Sequence, residues 1–119
     1  MMQRIGLSMA ATALVAGCAS APAPIEQMAV TRAAISNASS AEADKFAPAQ
    51  LKSAIEKMDF AERAMIQKDY ARARQLAEQA QVDAQLANAT AHTAKAQKAA
   101  DEVQEDHRVL REELDRKTE

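Results

Sequence analysis

The chain has 119 residues with a formal net charge of -2; 48% are hydrophobic, 27% charged and 3% aromatic, and there is no Trp. That length sets one domain as the ceiling, and the near-balanced charge leaves no electrostatic footprint for nucleic acid. Alanine fills 30 positions, and both glycines, Gly6 and Gly17, precede the single Cys18. Glycine-dependent phosphate loops, dinucleotide fingerprints and nucleophile elbows are therefore excluded after that cysteine, as are an internal disulfide and a thiolate zinc cluster.

Met1-Met2-Gln3-Arg4 carries one positive charge, and the 11 residues from Ile5 to Val15 are uncharged. This run is too short for a spanning helix but suits the apolar region of a secretory signal. Val15, Ala16, Gly17 and Cys18 follow, and together they resemble the lipobox of bacterial lipoproteins. The resemblance implies cleavage before Cys18, a diacylglycerol on its thiol and an N-acyl chain on its new amine, with no other cofactor. Two or more acyl chains anchor stably, at about 0.8 kcal/mol per buried methylene. The expected organisation is a signal peptide over 1–17, a lipidated Cys with a Pro/Ala tether over 18–24, and an α-helical domain over 25–119. Ala19, where an Asp would favour inner-membrane retention, implies by the same resemblance the outer membrane of a Gram-negative bacterium, facing the periplasm.

Pro22 and Pro24 make the tether extended and semi-rigid. A first helix is predicted from Ile25, with Ile25, Met28, Ala29 and Ile35 near one face. The run Ser36-Asn37-Ala38-Ser39-Ser40 competes for backbone hydrogen bonds and ends it, leaving a loop over 39–46. Pro48 suits the first position of a second helix. There Leu51, Ile55, Met58, Ala61 and Met65 recur at steps of three and four, with Lys52, Glu56, Lys57, Asp59 and Arg63 on the other side. Asp59 and Arg63 are spaced as an i,i+4 ion pair.

A third segment carries the clearest regularity. Ala73, Ala77, Ala80, Ala84, Ala87, Ala91 and Ala94 form a heptad seam made wholly of alanine, which lets helix axes approach closely. The register then slips by two residues to a second seam: Ala96, Ala100, Val103, His107, Leu110 and Leu114. Asp69 is a candidate N-cap for a turn at Asp69 and Tyr70, although no Gly or Pro enforces one there. Periodicity alone leaves open whether 48–115 is one helix or a hairpin.

Phe46-Ala47-Pro48, Leu51, Ala54, Lys57-Met58, Ala61, the run Lys68 to Ala80, and Asp83-Ala84 resemble a family of small bacterial lipoproteins carrying domain of unknown function 4398. The resemblance implies a helical domain on the periplasmic side of the envelope, and some relatives are joined to peptidoglycan-binding domains. Asp69-Tyr70, Ala73, Leu76-Ala77 and Ala80 are also similar to the second helix of a tetratricopeptide unit, where a small Ala lets two antiparallel helices pack. That favours the hairpin. The predicted fold is all-α: three helices, with an antiparallel helical hairpin and a long Ala-rich, coiled-coil-like C-terminal helix.

His92 and His107 are the only histidines; on one helix they lie about 22 Å apart and cannot share a metal. Asp101, Glu102, Glu105 and Asp106 read as a solvated helix face, and Glu112–Arg116 and Glu113–Lys117 as ordinary i,i+4 pairs. No nucleophile, acid–base pair or oxyanion donor set is present in the pattern, so no metal site and no enzyme are expected. Phe46, Phe60 and Tyr70 are read as packing residues at the turn and loop.

The expected function is a non-catalytic outer-membrane lipoprotein serving as a structural or protein-interaction module. A second helix of about 30 Å covers the third, of about 69 Å, only to about Ala91. The remainder is expected to self-associate or dock a protein partner, with Ala84, Ala87, Ala91, Val103, Leu110 and Leu114 at the contact. Two alternatives remain. One is an alanine-zipper oligomer resembling the major outer-membrane lipoprotein, a trimer joined to peptidoglycan through a C-terminal lysine; here the chain ends Arg116-Lys117-Thr118-Glu119. The other is a periplasmic adaptor binding a small ligand or client protein.

Overall fold

The computed structural model describes residues 21–118, so the expected signal peptide, the Val15-Ala16-Gly17-Cys18 motif and the start of the tether lie outside the described residues. From Ile25 onward the chain is all-α: α1 (Ile25–Ser40), α2 (Ala43–Phe46), α3 (Pro48–Ile66) and α4 (Tyr70–Thr118). The described residues thus hold four helices where three were expected. The extra one arises from the stretch read as a loop. α1 ends within the expected serine run, at Ser40, and the hydroxyls of Ser39 and Ser40 donate back to the carbonyls of Ile35 and Ser36, each at 3.0 Å. The chain turns only at Glu42, whose φ of 63° is left-handed. Its carbonyl accepts from the amides of Lys45 (3.0 Å) and Phe46 (3.2 Å), which closes the single turn of α2.

Pro48 opens α3 as expected. The α3–α4 turn is achieved without glycine. Lys68 adopts φ 60°, the amide of Asp69 donates to the Ala64 carbonyl (2.9 Å), and that of Lys68 donates to the Met65 carbonyl (3.1 Å). These two bonds form a Schellman cap with a lysine in the place glycine usually takes. Asp69 then caps α4 at once, its Oδ1 accepting from the Arg72 amide at 3.2 Å.

α4 runs for 49 residues without interruption, about 74 Å at 1.5 Å per residue, whereas the 19 residues of α3 span about 28 Å. Thr31 meets Ala77 and Glu42 meets Lys95, so α1 and α4 run in the same direction. Leu51 clusters with Ala87 and Ala91, while Met58 and Ala61 cluster with Ala77 and Ala80, so α3 runs the other way. Three helices thus surround one alanine-lined core.

The buried faces differ from those expected. On α1, Ile25 and Ala29 are exposed, while Met28, Thr31 and Ala38 are buried. On α3, Ala54 and Ala64 are buried in preference to Ile55, which is exposed, and Met65, which is half-buried. Close helix axes favour small side chains where the helices approach most closely, so alanines fill most of the contact, with Leu51, Met28 and Met58 as the larger buried residues. The expected Asp59–Arg63 pair does not form among the described residues; the Arg63 guanidinium lies 5.5 Å from the centre of the Phe60 ring instead.

Candidate interaction surface

Ala73, Ala77, Ala80, Ala84, Ala87 and Ala91 are all fully buried, and Ala94 is half-buried where the bundle ends. Carried on at the same steps, this line passes through Lys98, Asp101, Glu105, Arg108, Glu112 and Asp115. Every continuation is charged. The α1–α3 side of the bundle therefore stops near Lys95 because the next turns of α4 offer nothing apolar on that face.

Two polar ties fix the helices over the smooth alanine face. The Thr31 hydroxyl, fully buried, lies 2.9 Å from the Ala77 carbonyl and 2.8 Å from that of its own-helix Gln27, and Gln27 Nε2 donates to Gln81 Oε1 at 2.7 Å. On the other side, Asp83 Oδ2 accepts from Lys57 Nζ (2.6 Å) and from Ser53 Oγ (2.7 Å). Burial works against ionising Asp83, yet hydrogen bonds from Lys57 and Ser53 outweigh it and hold the carboxyl below its ordinary pKa. These side chains are structural braces within the bundle. Sequence reading did not single out Thr31, since an isolated threonine in a thinly patterned helix carries no signal.

At the top of the bundle, Glu42 bridges Lys95 of α4 and Lys45 of α2, both at 3.3 Å. The hydrogen bonds from Lys95 and then Lys45 hold its carboxyl below the ordinary range. Phe46 is half-buried against the cluster of Ala38, Ala47 and Leu51, Tyr70 is half-buried at the start of α4, and Phe60 lies on the exposed side of α3.

Beyond Lys95, every described residue of α4 is exposed. Val103, Leu110 and Leu114 of the second expected seam show 54%, 59% and 64% of their surface to solvent. At 100° per residue the two seams of α4 lie about 150° apart, nearly on opposite faces. The structure therefore brings the alanine seam into the bundle and leaves the second seam bare. The pairs expected at Glu112–Arg116 and Glu113–Lys117 do not form among the described residues. Arg108 instead binds Glu105 (2.6 Å) one turn before it and Glu112 one turn after, which lowers the Glu105 pKa and raises that of Arg108. That clamp is fully intrahelical and stiffens one side of the arm.

His92 and His107 are both exposed, and among the described residues no group of three His, Cys, Asp or Glu side chains is arranged to hold a metal ion. A shallow cleft between α1 and α3 is lined by Ile25, Met28, Met65 and Ile66, with the Arg32–Glu62 pair (3.0 Å) at its rim. No helix among the described residues is long and apolar enough to cross a membrane.

Comparison with known proteins agrees with this architecture. No curated protein matches the chain significantly. A crystal structure of a DUF4398 family protein from Pseudomonas aeruginosa PAO1 is similar, with 39% sequence identity and a TM-score of 0.73, covering 78% of this chain and 96% of that one. The family model for domain of unknown function 4398 matches residues 26–103, which takes in the whole bundle and the first turns of the free arm. The chain belongs to the DUF4398 family.

Proposed function

We propose that this protein is a non-catalytic outer-membrane lipoprotein, tethered through Cys18 and facing the periplasm, that works as a protein-interaction module. An antiparallel α3–α4 hairpin, braced by α1, holds up a single-helix arm. The observation that carries the reading is that arm: residues 96–118 of α4 stand clear of the bundle with apolar side chains exposed. A helix of this length lacking tertiary support retains an apolar stripe at a cost in solubility, and a partner that covers the stripe removes that cost. The anchor reading rests on the order of charge, apolar run, small residues and cysteine in the first 18 residues, followed by a proline-spaced tether. The covalent diacylglycerol and N-acyl chain supply attachment, and no further cofactor is needed.

Metabolic labelling with a palmitate analogue, followed by separation of inner and outer membranes, tests the anchor. The wild-type chain should carry label and sediment with the outer membrane, and Cys18→Ala should carry none. An unlabelled, unprocessed wild-type chain would overturn the anchor.

A further inference from the structure

The second seam does not begin at Ala96. Stepping backward by three and four from Ala96 reaches Thr93, Ala89, Leu86 and Val82, all on the outer side of the bundle portion of α4 and all exposed, Val82 at 62% and Leu86 at 52%. One heptad stripe in constant register therefore runs from Val82 to Leu114, about 50 Å along the helix. The buried alanines occupy the heptad positions opposite it, so α1 and α3 cover one side of α4 and leave this stripe free throughout.

We infer that the stripe binds a second copy of this chain as a parallel, in-register two-stranded coiled coil. The inference deepens the reading of α4 as an interaction element and does not depend on the lipid anchor. Three features select this occupant. First, only Thr93 and His107 interrupt the apolar stripe, both at a positions. In a parallel, in-register pair each meets its own counterpart, polar against polar. An antiparallel pair centred on the stripe would set His107 against Ala89 and Thr93 against Val103, leaving polar groups facing apolar ones. Second, Asp106 flanks the stripe at a g position and Arg111 at the following e position, and neither is ion-paired among the described residues. In a parallel pair each Asp106 faces the other copy's Arg111, twice over by symmetry. Third, Asp83, also at an e position, is held down by Lys57 and Ser53 of α3. That narrows the free strip to one partner helix.

A strip about 50 Å by 10–12 Å gives on the order of 500–600 Å² per partner, near the lower bound for specific interfaces. The dimer is accordingly weak and concentration-dependent.

The test uses the full chain carrying Cys18→Ser, which removes the only cysteine, purified in mild detergent and oxidised after introduction of single cysteines. Ala89→Cys and Val103→Cys should each form a disulfide dimer, at least five-fold more than Glu105→Cys on the outer side. Sedimentation should show a concentration-dependent dimer that Arg111→Asp weakens at least ten-fold and that Asp106→Arg combined with Arg111→Asp restores. Circular dichroism confirms that each variant is helical. A monomer at all concentrations, cross-linking at 105 equal to that at 89 and 103, or failure of the double reversal to restore association would each overturn the inference.

Discussion

Ala80 lies at the crossing of all three long helices, in the cluster formed by Met28 of α1 and by Met58 and Ala61 of α3, with no exposed surface. Replacing it with leucine adds three carbons. If space were available, their burial would stabilise the fold by roughly 2.4 kcal/mol at about 0.8 kcal/mol per methylene. The alanine contact leaves no such space, and overpacking of a filled core instead destabilises by about 1–3 kcal/mol. For a domain near 100 residues this lowers Tm by about 4–8 °C per kcal/mol, so a fall on the order of 10 °C is expected for Ala80→Leu. Ala71→Leu makes the same chemical change at an exposed position of the same helix, and should stay within about 0.5 kcal/mol of wild type. Urea titration followed by circular dichroism reads both, with an unchanged m value confirming that midpoints report stability. A stabilised Ala80→Leu, or an Ala71→Leu as damaging as Ala80→Leu, would refute the claim that close axial approach governs this core.

Thr31→Val keeps the shape but removes the buried tie to the Ala77 carbonyl, and should cost about 1 kcal/mol in the same titration. Because Asp83 has a folded-state pKa below its ordinary 3.8, its ion pair contributes stability above that value and loses it as pH falls through the folded pKa. Lys57→Met leaves only the Ser53 hydrogen bond to oppose burial of Asp83, so the acid-unfolding midpoint should move to higher pH, with a loss of about 1 kcal/mol at pH 7 given the partial exposure of the pair. An unmoved acid midpoint would show that Lys57 does not set the Asp83 pKa. Lys68→Gly relieves a left-handed residue at the Schellman cap and should raise stability by up to about 1 kcal/mol, the net of steric relief over glycine's added chain entropy; no gain in the urea midpoint would contradict it.

The readable parts of this sequence were those with positional chemistry. Pro48 as a first-turn residue, Asp69 as a cap and the alanine seam at three- and four-residue steps are each tied to one local structure, and the structure places them at a helix start, a helix cap and a buried contact. Hydrophobicity was less informative. Ile25, Val30, Ile55 and Ile66 are exposed, while Ala38, Ala54 and Ala64 are fully or almost fully buried. In an alanine-packed bundle small volume selects for the interior, so a reading that ranks residues by apolarity picks the wrong neighbours on α1 and α3. The extra helix and the turn before it were hidden because Glu42 takes a left-handed conformation usually signalled by glycine, and at the expected turn beside Asp69 it is Lys68 that takes the same conformation. The bare arm, by contrast, followed from comparing helix lengths alone.

An alanine ridge is nearly featureless along its length, and this has a mechanical consequence. Leucine knobs interlock and resist axial sliding, but methyl groups spaced at a constant heptad interval present almost the same surface after a shift of seven residues. The short turn closed at Lys68 holds α3 in place, but sliding α1 by one heptad toward the N-terminus of α4 would set methyl groups against methyl groups again over most of the contact, so packing alone would permit near-degenerate alignments of α1. Side-chain pairs remove that degeneracy, since Gln27 meets Gln81 and Lys57 meets its carboxylate at Asp83 in a single alignment. The charged turns that begin at Lys98 forbid a shift the other way. A few polar atoms thus act as detents on an otherwise smooth track, and they set how far the arm projects.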